Sequence, residues 1–260
     1  MKIFLSALEN APSSKLGRQR GYSSITDYIV KQGVQMRWNL ISYYYVRKKR
    51  DLADYIKANS DEVMVDSGAH SFQKGAKVDW LEYTKEYAEF IQYYDSPNVV
   101  GFFEMDVDNV IGYDRVLELR KILERVSDKI IPVWHRNRGI ADFKKMCERY
   151  AGKIVAVTGF KNEDIRDDQY VMFLKEAHKH GCKLHCLGNT RTAILDKVPF
   201  DYCDSSSWTQ QGIFGRVNGV GQVSKYYSTN HREEIWFMNY MDGMKKQEQY
   251  YRKWRKVCKD

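Results

Sequence analysis

The sequence predicts an α/β fold, and within that class a (β/α)8 TIM barrel carrying a basic, helical C-terminal extension. Three observations predict it. Eight short runs are rich in β-branched and aromatic residues, and longer polar-apolar helical stretches separate most of them. The turn after the first run, ENAPSS, has no GxGxxG, the glycine-rich turn with which an open doubly wound sheet usually begins. The length of 260 residues fits a barrel of ~250 residues.

In chain order the strand-like runs are Lys2–Leu8, Trp38–Tyr45, Glu62–Asp66, Asn98–Glu104, Lys129–Trp134, Lys153–Thr158, Lys183–Leu187 and Phe200–Cys203. Helical patterning lies between them at Trp80–Tyr94, Tyr113–Val126, Ile140–Tyr150 and Asp168–His180. Strand alternating with helix predicts a parallel sheet covered by helices. No repeat or linker divides the chain. The whole reads as one domain, with the barrel over about 1–223 and the extension over about 224–260, packed on the outside.

Composition narrows the class. Hydrophobic residues make up 43% and charged residues 29%, with only 4 prolines, which excludes wholesale disorder and collagen-like or low-complexity chains. The mean hydropathy of -0.61 and the lack of any apolar run near ~18 residues argue against a membrane span. The start, MKIFLSAL, reads as a first strand rather than a signal peptide. Five scattered cysteines resemble no secreted disulfide framework, so the expected location is a reducing cytoplasm. The net charge of +8 favours a polyanionic partner.

In a barrel of this kind the reacting groups stand where strands end, at the C-terminal face. The polar residues there are Asp66 with Ser67, the acids Glu104, Asp106 and Asp108, His135 with Arg136, Thr158 with Gly159, Gly188 with Asn189, and Asp204 with Ser205. Carboxylates from distant parts of the chain converging on one mouth suit acid–base chemistry, covalent carboxylate chemistry or metal binding. In VDSGAH, Asp66 serves either as a helix N-cap or as a chemical group beside small residues that let a ligand approach. In PFDYCDSSSW, Asp201 and Asp204 are an odd number apart and face opposite sides of a strand. Asp204, at the strand end beside three serines, is the better chemical choice.

These motifs carry a resemblance. DSGAHSF resembles the DSGGFQ signature of the tRNA-guanine transglycosylases, with Asp66, Ser67 and Gly68 matching in order. LGNT followed by DYCD resembles that family's MGVGTP followed by DMFDCV, with the D-x-x-D spacing kept. The DSSSW ending is closer to the shorter phage and bacterial relatives that place 7-deazaguanines in DNA. The likeness spans most of the barrel in strand order, with identity concentrated in these short motifs.

The resemblance implies roles. Asp204 falls on the nucleophile that attacks the sugar C1′ and forms a covalent glycosyl-enzyme intermediate, and Asp66 on the general acid/base. Asp106 is the choice for the acid that reads a guanine-like base edge, with Glu104 and Asp108 as alternatives. Ser67, Gly68, His70, His135, Thr158, Gly159, Leu187 and Gly188 are the remaining base-binding positions. His70 stands in for a stacking aromatic residue, His135 for a Gln and Leu187 for a Met. The implied partners are guanine-containing DNA and a free 7-deazaguanine such as the 7-cyano form, with tRNA as the alternative polymer and no cofactor.

One departure concerns zinc. The CxCxxC set and later His of the tRNA enzymes have no counterpart after Asp204, where only Cys258 remains. The group His180/Cys182/His185/Cys186 fits no tetrahedral spacing and reads as core thiols and a strand histidine. Lack of that subdomain favours the DNA branch. For phosphate contact, Arg47, Lys48, Lys49 and Arg50 follow a strand end on the active face and rank first. They stand ahead of Lys15/Arg18/Arg20 and the C-terminal cations, whose interleaved aromatics read as packed on the barrel. Trp208 either fills the gap left by an extruded base or packs in the core. Two other readings are a non-catalytic nucleic-acid-binding subunit and a metal-dependent hydrolase built on Asp66, Asp106 and His135.

Overall fold

The computed structural model describes residues 1–72, 78–158 and 165–258. Nine strand segments form one parallel sheet: β1 (Lys2–Ser6), β2 (Met36–Ser42), β3 (Ser60–Asp66), β4 (Val99–Phe103), β5 (Ile130–Ile131), β6 (Val133–Trp134), β7 (Ile154–Thr158), β8 (Lys183–Leu187) and β9 (Tyr202–Ser205). Their order is β5-β4-β3-β2-β1-β9-β8-β7-β6. The two ends of that order, β5 and β6, flank Pro132 in the chain, so they are halves of one interrupted strand. Proline cannot donate to the ladder, but the Pro132 carbonyl still accepts the Ala156 amide at 2.9 Å. The sheet therefore comes round on itself as a nearly closed, eight-stranded TIM-type barrel.

Side-chain alternation along each strand sorts residues inward and outward. Phe4, Trp38, Leu40, Met64, Phe103, Ile131, Val133, Ala156 and Tyr202 fill the interior. Below them the Lys2 ammonium meets Glu62 at 2.7 Å, and Tyr251 from the last helix lies 5.3 Å from the Trp38 ring. Above the apolar layer the same inward rows deliver polar residues. Asp66 follows Met64 by two residues, Asp204 follows Tyr202, and Thr158 follows Ala156. Register holds these ends level, with Ser42 opposite Asp66 and Thr158 opposite Leu187.

The outer helices close where the sequence pattern puts them. The helix Trp80–Tyr94 is capped by Asp79, whose side chain accepts the amides of Leu81 and Glu82. It buries Tyr83, Tyr87, Phe90, Ile91 and Tyr94, one apolar stripe at helical spacing. Several boundaries differ from the sequence expectation, and two of them bear on the site. β2 stops at Ser42, because Tyr43–Val46 turns into a short helix that lays Tyr43 against Tyr83, Tyr87 and Phe90. The last strand starts and ends two residues later than Phe200–Cys203, so Asp204 belongs to β9 itself. Beyond β9 the chain forms the helix Ser207–Ile213 and a hairpin of Arg216–Val217 with Gly221–Gln222.

The C-terminal helix, Arg232–Trp254, lies against β1. Gly243 sits over Leu5, where an added Cβ would come within 3.0 Å of a Leu5 methyl. Gln247 reaches between two strands and donates to the carbonyls of Ile3 and Trp38, both at 2.8 Å. Direct β1–β2 register runs only over Leu5–Asn39 and Ser6–Leu40, so this side chain occupies carbonyls below the paired stretch. Tyr250 is buried and Trp254 half-buried, while Arg252, Lys253 and Arg255 face water. No helix among the described residues is long and apolar enough to cross a membrane.

Candidate active site

A cavity of about 580 Å³ opens at the C-terminal ends of the strands. That size lies within the ~300–1,000 Å³ usual for small-molecule sites. Its wall includes Asp66, His70, Asp106, His135, Thr158, Leu187, Gly188 and Asp204. Most of the positions named from sequence for catalysis and base contact thus surround one opening. Ser67 and Gly68 stand just behind it, and Gly159 lies outside the described residues.

Asp66 ends β3. Its Oδ2 accepts the Gly68 amide at 2.9 Å in a tight turn before Ala69–Phe72. Gly68 has φ +72°, and a Cβ there would fall 2.4 Å from Tyr44 Cβ and 2.8 Å from its amide nitrogen. The turn therefore requires glycine. Ser67 is buried and its carbonyl accepts the Tyr83 hydroxyl at 2.7 Å. Ser67 and Gly68 shape the wall from behind, whereas Asp66 faces the cavity. Burial, the largest influence, pushes the Asp66 carboxyl up to about 6. His70 and the Gly68 amide pull it down, and Asp106 and Asp204 add to the rise.

Asp204, on β9, is held from three directions. Oδ1 accepts the Gly188 amide at 2.9 Å and lies 3.0 Å from His185 Nε2, while the Ser6 hydroxyl lies 3.3 Å from Oδ2. Asp201 is at the other end of the strand, where its Oδ2 accepts the Leu184 amide and meets His178, both at 2.8 Å.

The acids after β4 separate by environment. Asp106 lines the cavity between two imidazoles, with His70 Nε2 3.0 Å from Oδ2 and His135 hydrogen-bonded to Oδ1. Burial opposes its ionisation, but the two histidine bonds outweigh burial and hold the carboxyl well below the usual range. The Asp106 bond is the main influence that raises His70. For His135 burial pulls downward, and the bond and charge of Asp106 overcome it. Glu104 is turned away in a buried, two-pronged pair with Arg120, one arm at 2.9 Å, and it also accepts the Val133 amide. Asp108 is buried without a hydrogen-bond partner for either oxygen among the described residues, 3.7 Å from His135 Nε2 and 3.9 Å from Arg138 Nε. Asp106, Asp108 and His135 form the group, among those residues, whose donor atoms lie close enough to hold a cation. The His135 ring already hydrogen-bonds Asp106, and the Arg138 guanidinium lies beside Asp108.

Sequence reasoning missed Glu9. It lies just past β1, in a 3-10 turn entered through Ala7 at φ 76°, a left-handed conformation that costs a non-glycine residue roughly 1–2 kcal/mol. Glu9 lines the cavity and accepts the Ser42 amide at 3.0 Å, and its Oε2 has no hydrogen-bond partner among the described residues. Burial is the main influence that pushes its carboxyl up to about 7. The available signal was position, since the acid follows the first strand as Asp66 follows the third.

The basic run divides. Arg47 is stacked over the rings of Tyr44, Phe72 and Tyr83, at 5.4, 5.8 and 5.5 Å. Lys48, Lys49 and Arg50 are exposed. Trp208 belongs to the core, donating its indole N–H to the Ser6 carbonyl at 2.9 Å and packing on Trp236 and Tyr240. It is therefore not available to fill a vacated base stack. Cys182 and Cys186 are buried core thiols, and His180 is bonded to Glu176 at 3.3 Å.

No known family model matches the chain, and no curated protein is significantly similar to it.

Proposed function

We propose that the chain is a base-exchanging glycosyltransferase that replaces guanine in DNA by a 7-deazaguanine such as the 7-cyano form. The observation that carries this reading is that Asp66 and Asp204 line one cavity with ample room for a purine, with Asp66 poised near neutrality and Asp204 held at one edge. The resemblance of DSGAH, LGNT and DYCD to the transglycosylase motifs supports the choice of reaction, and the lack of a counterpart to the zinc motif supports DNA over tRNA.

In the first step an Asp204 oxygen forms a bond to C1′ as the C1′–N9 bond breaks. The bonding pair leaves with guanine, which takes a proton from Asp66. In the second step Asp66 removes the N9 proton of the incoming base. That base attacks C1′, and the Asp204 carboxylate departs with its electron pair. Two displacements retain the configuration at C1′. A carboxyl near 6 serves both directions, because acid and base forms coexist near neutral pH. Asp106 accepts the N1–H and N2–H donors of a guanine-like base, which adenine cannot offer in the same pattern. A base stacked in a duplex has to be extruded or met in a single strand, which costs a few kcal/mol.

Incubation with radiolabelled guanine and either DNA or tRNA tests the reading. Label entering DNA, with a denaturation-resistant adduct lost in Asp204→Asn, is the expected result. Label entering tRNA alone rejects the polymer, and no incorporation or adduct with either rejects the reaction.

A further inference from the structure

The residue beneath Asp204 has no part in the chemistry just described. His185 is fully buried on β8, facing inward, with its Nε2 3.0 Å from Asp204 Oδ1. Its ring is locked by the edge-on Phe103 ring at 4.9 Å and by Tyr202 stacked at 6.4 Å. Nδ1 has no hydrogen-bond partner among the described residues. The tautomer with its proton on Nε2 satisfies the contact and leaves Nδ1 as a bare lone pair. The opposite tautomer would set a buried N–H without an acceptor, at a cost of about 1–3 kcal/mol, and would aim a lone pair at the carboxylate. The Gly188 amide reaches the same Oδ1 at 2.9 Å, from a glycine at φ +64°. Oδ2, by contrast, meets the Ser6 hydroxyl at the longer distance of 3.3 Å.

We propose that His185 is a positioning residue that, with the Gly188 amide, ties down Oδ1 of Asp204 and so makes Oδ2 the atom that attacks the sugar. The inference rests on the reading of Asp204 as nucleophile and goes beyond it in assigning the attacking atom and the group that selects it. Two N–H donors lower the charge available on Oδ1, and a locked carboxyl plane removes the rotation that would exchange the two oxygens. In the displacement a lone pair of Oδ2 becomes the C1′–O bond, the C1′–N9 pair leaves with the base, and Asp66 supplies the base with its proton. His185 gains and loses no proton.

The test is single-turnover adduct formation with a DNA oligonucleotide carrying one guanine, measured for wild type, H185L, H185Q and H185N beside oligonucleotide affinity. The glutamine amide reaches the position of Nε2, and the shorter asparagine amide does not. H185L and H185N should slow adduct formation roughly 10–100-fold, the size of effect found when the group that orients a metal ligand is removed, with affinity within about twofold. H185Q should recover most of the rate. Equal rates in all four proteins, or equal losses in H185Q and H185N, overturn the inference. If the leucine variant fails to fold, the glutamine–asparagine pair still decides. Wild type forming no adduct removes the glycosyltransferase reading and this inference together, whereas a wild-type adduct unaffected by these changes removes the inference alone.

Discussion

Oδ2 of Asp106 lies 3.0 Å from Nε2 of His70, across the turn that follows β3. With His135 on Oδ1, this contact makes Asp106 an acid whose two oxygens are already aimed before any ligand arrives. A site that hydrogen-bonds a base in this way penalises bases that leave its groups unpaired. On the proposed reading Asp106→Asn sets an N–H against an N–H of guanine, so guanine affinity should fall by about 10-fold or more for one lost charge-assisted hydrogen bond of ~1.5–3 kcal/mol. Equilibrium binding of guanine to the variant measures it.

The same contact fixes a pH window for stability. Asp106 is held below its unfolded value, so its contribution is present above about 4 and is lost as pH falls through the folded value. His70 and His135 are raised, so theirs is complete below about 6.5 and is lost as pH rises through their folded values. Asp106→Asn should therefore lose less stability than wild type on acidification from about pH 5 to about pH 2, as thermal melts across that range would show.

Glu9 and Asp66 behave in the opposite sense. Each holds its proton more tightly when folded, so each costs stability as pH rises from its ordinary value through about 7 and about 6 respectively. Glu9→Gln keeps an acceptor for the Ser42 amide and removes the buried charge. A tenfold difference in proton affinity between folded and unfolded chains is worth about 1.4 kcal/mol, so at pH 8 the change should raise stability by roughly 3 kcal/mol at most. At pH 4 it should change little. Melting curves of the variant at the two pH values check the sign.

Gly68→Ala tests the turn behind Asp66. The added methyl meets Tyr44 backbone and Cβ at under 3.0 Å, and φ +72° is unfavourable for any residue with a Cβ. Loss of about 2 kcal/mol or more of stability is expected, together with a shift of the Asp66-dependent limb of the pH–activity profile. A variant that melts and titrates as wild type would contradict the role given to this glycine.

Charge reversal of Lys48, Lys49 and Arg50 should weaken DNA binding and flatten its salt dependence by about 0.9 in logarithmic slope for each phosphate contact removed. Arg47→Ala is different in kind, because its guanidinium packs on three rings. It should lower the melting temperature as well as affinity. Binding titrations at several salt concentrations, set beside melting curves, separate the two effects.

Much of this was legible locally. The β-branched runs fell on the barrel strands, and the helix Trp80–Tyr94 matched its pattern from end to end, because burial on one face imposes a period that the chain must show. The errors share a cause. Tyr43–Tyr45 has strand-forming residues, yet it coils because Tyr43 gains the aromatic cluster under the helix Trp80–Tyr94. Trp208 beside an acid looked equally suited to a nucleic-acid contact or to the core, and only the Ser6 carbonyl and the C-terminal helix settle it. Glu9 passed unnoticed because, beyond its place after the first strand, nothing local distinguishes a buried acid in a loop from a solvated one.

By itself the sequence determined where the eight strands lie along the chain, though not every boundary, and the strand ends at which polar groups such as Asp66, Thr158 and Asp204 would gather. Periodicity and residue type are properties of neighbours in the chain, and those suffice for such statements. The tertiary structure decided which of three clustered acids faces the cavity, which is neutralised by Arg120, that Glu9 joins the wall, and that His185 lies under Asp204. Those outcomes depend on burial and on partners brought from 16 to 36 residues away. Desolvation and hydrogen bonding act through space, and no window along the chain contains them.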